Sequence, residues 1–576
     1  MSTWQERYNE WKDFDKLDLT MKEQLTLMKD DAATLEDAFY TELSFGTGGI
    51  RGILGAGTNR LNIYTVRKAM KGLALYLEEN SVNVKDRGIV IAYDSRHQSR
   101  EFALEAAKVF GVHGIRTYIF EELRPTPLLS YAVRYLSTVA GIMITASHNP
   151  PEYNGLKVYN EEGSQLGLDD ANAVIESIKT VANPLEIPVM DEATLEENNL
   201  VEWMNGQVDN AYIEQLLTMT KLSEAEVKEE KDLNIVFTPL HGTALPLVEA
   251  GLKQLSFQHV HIVEEQAVPD PEFSTVDLPN PEERQAFAYA IDLGNQVNAD
   301  ILLATDPDAD RLGVAVRNDQ GQYEILTGNQ LGSLLLDYVL SQSNEAALQN
   351  GRMIKTIVTT ELGRAIASSY GVETLDTLTG FKYIGEKINE YDKTGESFLF
   401  GYEESYGYLI SSFARDKDAV QSSVMTCEMA QYWKNKNMTL LDALNNLYEK
   451  HGFYREALQS ITLKGIQGQK QIKEMIDYLR HTSIKEINGI KVQFKEDYLL
   501  GKRINKVEDS EETIRLPEEN VLKYILADGS WVCARPSGTE PKIKFYYGVR
   551  KESAAEAERA VNELYAAVNE LLQLNE

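Results

Sequence analysis

Apolar and polar positions change period repeatedly along the chain. A helical lead-in at 4–37 gives way to short β-rich runs alternating with longer stretches of helical period, the pattern of parallel-sheet α/β units. The pattern recurs three times. The first copy has apolar runs at 88–93, 117–120 and 141–145 around helix-period segments at 102–112 and 127–136. The second has runs at 233–237, 259–263 and 300–304 with helices expected at 245–255 and 281–293, and the third has runs at 353–359, 372–375 and 397–400. From about residue 451 the character changes. Runs at 491–494, 521–526 and 542–547 lie among turn signals, and one helix closes the chain, which predicts an α+β domain. That helix opens on Ser553-x-x-Glu556, a capping-box pattern. Val561, Leu564, Val568, Leu571 and Leu572 then follow at helical spacing, a stripe expected to pack into a core.

The chain has 576 residues, which at roughly 150 per domain gives three to five domains. Apolar residues make up 43% and charged residues 25%, so disordered and fibrous classes are disfavoured. The net charge of −32 repels nucleic acid and anionic membranes, and any anionic ligand must meet a local cationic cluster. No apolar run approaches the length of a membrane span and no secretory signal is legible, so the expected location is cytoplasmic. Cys427 and Cys533 lack CxxC spacing, which argues against a disulfide framework, a structural zinc site or a dithiol motif.

Ligands of parallel α/β sheets bind beyond the carboxyl ends of the strands, and these ends are polar here. The first leads into Ala146-Ser147-His148-Asn149-Pro150-Pro151. Neighbouring side chains on an extended segment point apart, which disfavours a Ser-His dyad, and no G-x-S-x-G elbow is present. The second leads into Asp306-Pro307-Asp308-Ala309-Asp310-Arg311, three alternating carboxylates suited to a hard cation such as Mg²⁺. An EF-hand fails because Arg311 and Arg317 stand where Gly and Glu are required, and an Asp-rich turn remains the plain alternative. Phe400-Gly401-Tyr402-Glu403-Glu404-Ser405-Tyr406-Gly407 offers acceptors for sugar hydroxyls or a solvated acidic turn. Arg535-Pro536-Ser537-Gly538-Thr539-Glu540 can converge a guanidinium, hydroxyls and amides on one phosphate, and the glycine-rich 45–52 run with Arg51 is a weaker phosphate cradle.

Together and in this order, these motifs resemble the α-D-phosphohexomutase superfamily over essentially the whole length, in its phosphoglucomutase and phosphopentomutase-like branch. The resemblance implies three topologically similar α/β domains with mixed, mainly parallel sheets and a C-terminal α+β domain around a central cleft. With the pattern above, the domains would be 1–205, 206–325, 326–450 and 451–576. It implies that Ser147 is the phosphoserine, and that Asp306, Asp308 and Asp310 hold one Mg²⁺ together with it. Arg51, Arg311, His148 and Lys157 would serve the transferring group, Lys157 as acid/base. Thr379, Gly380, Glu403, Ser405 and Lys417 would contact the sugar, and Arg535, Ser537, Gly538 and Thr539 would anchor the far phosphate.

The implied reaction interconverts glucose 1-phosphate and glucose 6-phosphate through glucose 1,6-bisphosphate, in a monomer or weak homodimer. One departure stands out: many phosphomannomutase-type members carry a histidine two residues after the loop serine, where this chain has Gly407. Pentose and mannose phosphates remain open as substrates, as does a metal-dependent sugar phosphatase using Ser147.

Overall fold

The protein is described from a computed structural model covering residues 3–46, 48–463, 465–537 and 542–573. Among these residues the strands form four main sheets, one per domain. In domain I, β1 (Gly49–Ile53), β2 (Ile89–Tyr93), β3 (Thr117–Phe120), β4 (Ala140–Ile144), β5 (Tyr153–Tyr159) and β6 (Val201–Met204) are ordered β1-β5-β4-β2-β3-β6. Domain II contains β7 (Ile235–Thr238), β8 (Val260–Ile262), β9 (Ile301–Thr305), β10 (Leu312–Arg317) and β11 (Tyr323–Ile325), ordered β11-β10-β9-β7-β8. Domain III contains β12 (Gly351–Thr356), β13 (Glu373–Thr377), β14 (Ser397–Glu403) and β15 (Gly407–Leu409), ordered β13-β12-β14-β15.

One unit therefore occurs three times. The first parallel strand is central, the second and third flank it, and the third turns back into an antiparallel neighbour: β4 into β5, β9 into β10, β14 into β15. Each return loop contains a non-glycine residue in the left-handed region, Ser147 (φ 53°), Ala309 (φ 53°) and Tyr406 (φ 63°). These are the three polar loops singled out in the sequence. Buried strands dictate this placement: β2, β4, β7 and β9 are buried at every position, so polar residues are confined to the ends.

Domain IV is an antiparallel sheet that runs from Phe453–Thr462 through Lys542–Lys551, Trp531–Pro536, Leu522–Leu526 and Ile490–Asp497 to a peripheral hairpin. Two helices cover it. The terminal one, Ala554–Leu571, buries Val561, Leu564 and Val568 as expected, and its cap is half a box: Ser553 Oγ accepts from Glu556 N–H at 3.3 Å. The other, Gly465–His481, was not anticipated, because its alternating Lys, Gln and Glu obscure a narrow stripe through Ile472, Ile476 and Leu479. The helix expected at 281–293 starts late, at Ala288, because Asn280-Pro281 and a short 3₁₀ turn at Arg284–Phe287 keep the preceding chain out of α geometry.

Domains I, II and III share one continuous core, whose pivot is the helix Ala419–Lys434, buried from Ala419 through Gln431. Domain IV packs around its own core. A smaller cluster of Ile357, Val358, Leu378 and Tyr383 with Tyr498, Trp531, Cys533 and Tyr546 joins it to domain III. Both cysteines are buried thiols, and among the described residues no helix is long and apolar enough to cross a membrane.

Candidate active site

The loop after β4 is built from beneath. Thr145 Oγ1 donates to Asp94 Oδ2 at 2.6 Å and accepts from Ser147 N–H at 2.8 Å. Arg96, fully buried, donates to the carbonyls of Ser147, Asn149, Pro150 and Tyr153 at 2.5 to 2.9 Å and pairs with Asp94. One guanidinium thus satisfies four carbonyls of an irregular, partly buried loop and the start of β5. Neither Asp94 nor Arg96 was singled out from the sequence, although Asp94-Ser95-Arg96 terminates β2 and the strand-end rule applies to it equally.

The left-handed backbone of Ser147 corrects the expectation about its neighbour. Since the turn is not extended, the two side chains meet: Ser147 Oγ lies 3.1 Å from His148 Nδ1 and donates to Asp306 Oδ2 at 2.9 Å. Burial, then Arg311 and Arg51, hold the His148 imidazole well below its ordinary pKa, so it is neutral at pH 7. Arg51 projects from β1, where it pairs in register with Gly155 of β5, and donates to Asn149 Oδ1 at 2.7 Å.

Asp306, Asp308 and Asp310 are buried, with one oxygen from each within 4.8 Å of the others. Asp306 Oδ1 takes the amides of Asp310 and Arg311 at 3.0 and 2.9 Å, and Thr243 donates N–H and Oγ1 to the Pro307 carbonyl, both at 2.9 Å. Besides Ser147, domain I reaches in at two more points. Thr126 Oγ1 donates to Asp308 Oδ2 at 2.7 Å, and Lys157 Nζ lies 2.7 Å from Asp308 Oδ2 and 2.9 Å from Asp310 Oδ2. Lys417 of domain III adds a third contact, 3.2 Å from Asp310 Oδ2.

Burial and the neighbouring carboxylates push Asp306 well up. Asp310 stays well below the ordinary range: burial opposes this, and Lys157, Lys417 and Arg311 override it. Among the described residues, Asp308 Oδ1 and Asp310 Oδ1 are buried without hydrogen-bond partners. Three converging carboxylates with unsatisfied oxygens and no nitrogen or sulfur donor fit a hard divalent cation. Arg311 pairs with Glu282 and lies 4.0 Å from Asp310 Oδ1.

At the third loop Glu403 Oε1 accepts the Gly380 amide at 2.9 Å. Gly380 (φ 118°) opens the helix Phe381–Thr394, a conformation that excludes a side chain. Thr379 Oγ1 beside it is buried without a hydrogen-bond partner among the described residues, and Ser405 is half-buried. Lys417, a sugar contact in the sequence reading, lies 3.2 Å from Asp310 Oδ2 and interacts electrostatically with Glu403. Gly407 explains how it gets there: a Cβ at 407 would lie 2.2 Å from Lys417 Cδ and 2.8 Å from Cγ. Any side chain at 407 therefore requires the Lys417 stem to leave this path.

Arg535 lies apart from the reacting cluster, its Nε bonded to Glu519 Oε1 at 3.0 Å. Ser537 follows, its amide donating to the Lys542 carbonyl at 2.7 Å, while Gly538 and Thr539 lie outside the described residues. The sequence reading also passed over Lys544, directly across the strand pair from Arg535 and electrostatically coupled to Glu404.

Fold and loops together define an α/β enzyme in which a serine, a carboxylate cluster and a ring of cations from separate domains face one another. Family models of phosphoglucomutase/phosphomannomutase match in sequence order: alpha/beta/alpha domain I at 42–184, domain II at 210–321, domain III at 327–451 and the C-terminal domain at 486–567. The chain belongs to the phosphoglucomutase/phosphomannomutase family. It is 42% identical to a phosphoglucomutase of Staphylococcus haemolyticus over 90% of this chain and 92% of that one, and 41% identical to one of Staphylococcus aureus over 89% and 91%. The fold is shared with a family protein from Burkholderia thailandensis (TM-score 0.66, 19% identity, 93% and 98% coverage). It is shared also with the Paramecium phosphoglucomutase parafusin in its open form (0.67, 16%, 93% and 95%).

Two outcomes follow from this geometry. Gly407→Ala displaces the Lys417 stem and lowers turnover about tenfold or more, with little change in melting temperature; parent-like turnover shows that the path is not required. The second concerns Glu404, which accepts from Thr356 and Thr359 Oγ1 at 3.3 Å and is pushed up to about 7 by burial and then by Glu403. A raised carboxyl stabilises the fold fully below its unfolded pKa, and that contribution is lost as pH rises through about 7. Glu404→Gln therefore gains melting temperature relative to the parent between pH 5 and 8, and a pH-independent difference contradicts this.

Proposed function

We propose that this chain is an α-phosphoglucomutase that interconverts glucose 1-phosphate and glucose 6-phosphate by way of a phosphoserine at Ser147 and glucose 1,6-bisphosphate. The observation that carries the reading is the Ser147 hydroxyl bonded to Asp306 within a buried three-carboxylate group and ringed by Lys157, Lys417, Arg311 and Arg51. The curated phosphoglucomutases at 40 to 42% identity over about 90% of the chain support it. The same reading takes the domain limits as 1–205, 206–325, 326–450 and 451–576, and the enzyme as a cytoplasmic monomer or weak homodimer without nucleic-acid or membrane partners.

In the forward direction a sugar hydroxyl attacks the phosphorus of phospho-Ser147. The bond from phosphorus to Ser147 Oγ breaks, a bond to the sugar oxygen forms, and the hydroxyl proton leaves for a base in the site. The bisphosphate turns over, its other phosphate gives its phosphoryl group back to Ser147 Oγ, and the sugar oxygen left behind takes a proton. Asp306, Asp308 and Asp310 would hold Mg²⁺, which supplies neutralisation of charge on the phosphoryl oxygens.

This chain's own cations do the rest. Lys157, Lys417 and Arg311, fixed by the carboxylates before substrate arrives, face the charge that develops in transfer, so little reorganisation is needed at that moment. Arg51 holds the loop through Asn149 and faces the same group. Neutral His148, 3.1 Å from Ser147 Oγ, serves the serine end, and Lys157 is the acid/base candidate. Glu403, Ser405, Thr379 and the Gly380 backbone meet the ring hydroxyls. Arg535, Ser537, Gly538 and Thr539 anchor the phosphate that is not reacting, with Lys544 across the strand pair as a further cation.

The test is glucose 6-phosphate formation from glucose 1-phosphate with trace glucose 1,6-bisphosphate, before and after chelation of Mg²⁺, in the parent and in Ser147→Ala. Turnover that needs the metal and falls at least about 10³-fold on substitution is expected. Turnover only on pentose or mannose phosphates, or inorganic phosphate as the main product, overturns the assignment. Arg535→Ala raises KM for the sugar phosphate about tenfold or more through the loss of a charge-assisted bond, and unaltered kinetics remove the anchor.

A further inference from the structure

Strand β5 sends two side chains into the junction of the first three domains. Lys157 is the first. Tyr159, two residues on and therefore on the same face of the strand, is the second. It is fully buried, and its phenol donates to Asp416 Oδ2 at 2.8 Å. The other oxygen of Asp416 accepts the backbone N–H of Lys417 at 2.8 Å and lies 3.2 Å from Lys417 Nζ. Nζ in turn stands 3.2 Å from Asp310 Oδ2. A continuous polar chain thus runs from domain I through domain III to the carboxylate cluster of domain II.

The segment that carries Asp416 does not need Tyr159 to stay in place. Ser130 Oγ accepts the Arg415 amide at 2.8 Å, and Arg134 Nη1 donates to the carbonyls of Ser412 and Phe413 at 3.0 and 3.1 Å. What the phenol adds is the orientation of one carboxylate. Lysine carries large rotamer entropy and a point charge that settles on any nearby acceptor. Asp310, Asp416 and Glu403 all compete for this one.

We propose that Tyr159 and Asp416 are positioning residues that fix the Lys417 ammonium over Asp310 for phosphoryl transfer. They touch neither sugar nor phosphoryl group and act through Lys417 alone. The inference rests on the phosphoryl-transfer reading above.

The experiment compares Tyr159→Phe, which keeps the ring and removes the donor, with Asp416→Asn, each in the parent and in a Lys417→Met background. Melting temperature, kcat and KM are measured, together with the rate of labelling of Lys417 by an amine-reactive reagent, read by mass spectrometry. Tyr159→Phe is expected to melt near the parent, to lose about tenfold in kcat with KM within about twofold, and to label several times faster at Lys417 but not at Lys157. In the Lys417→Met background the same substitution costs less than about twofold, because the residue it serves is gone. Equal losses in both backgrounds, or unchanged Lys417 labelling, overturn the proposal. If Tyr159→Phe fails to fold, Asp416→Asn decides by the same two readouts. A parent inactive on every sugar phosphate overturns the mutase reading, and the labelling then decides by itself whether Tyr159 holds Lys417.

Discussion

Three carboxylates held within 4.8 Å of one another and shielded from water are the constraint on which the rest of the structure depends. Isolated, such a group protonates or drives itself apart, because burial and mutual repulsion both disfavour charge. Here domain II supplies the carboxylates, domain I supplies Lys157 and Thr126, and domain III supplies Lys417. No single domain is electrostatically complete. The continuous core under the first three domains keeps those contributions in register, since a shift of an ångström would leave a buried charge unpaired.

The same topological position does three different jobs. Each α/β unit turns from its third parallel strand into an antiparallel return strand, and each turn contains a left-handed residue that re-aims the chain. In domain I the turn presents a hydroxyl, in domain II carboxylates and in domain III a glutamate beside Ser405. Backbone geometry is held common while side chains vary, so three strand ends aim at one place. Beneath the first turn, Arg96 and Asp94 hold the backbone rigid from within, which keeps Ser147 Oγ within reach of Asp306.

Domain IV stands outside this arrangement. It has a separate core and meets domain III through a smaller apolar cluster, while Arg535 is bonded to Glu519 and Lys544 interacts electrostatically with Glu404. On the mutase reading proposed above, a substrate that presents each of two phosphates in turn needs one grip that is not part of the chemical step. A separately built domain with its own cations is a physical way to provide it.

Much of this was legible in the residue pattern. Period-two and period-3.6 stretches marked the threefold α/β repeat, because fully buried parallel strands tolerate few polar residues and push chemistry to their ends. Ser147, the three aspartates and Glu403 stood out for that reason, and Arg535 because a guanidinium, hydroxyls and loop amides cluster around it in sequence. The helix Gly465–His481 was not legible, because its apolar stripe is narrow and its surface is charged. The Ser147–His148 contact was misjudged, because adjacency on a strand and adjacency on a left-handed turn have opposite consequences, and only the folded backbone selects between them. Gly407 read as a missing histidine, and its role as the passage for Lys417 depends on a side chain ten residues away in sequence. The sequence by itself determined which chemical groups are present and at which strand ends they stand. Tertiary structure alone decided which charges neutralise which, because Coulombic and hydrogen-bond partners are set by distances of a few ångströms between segments more than a hundred residues apart.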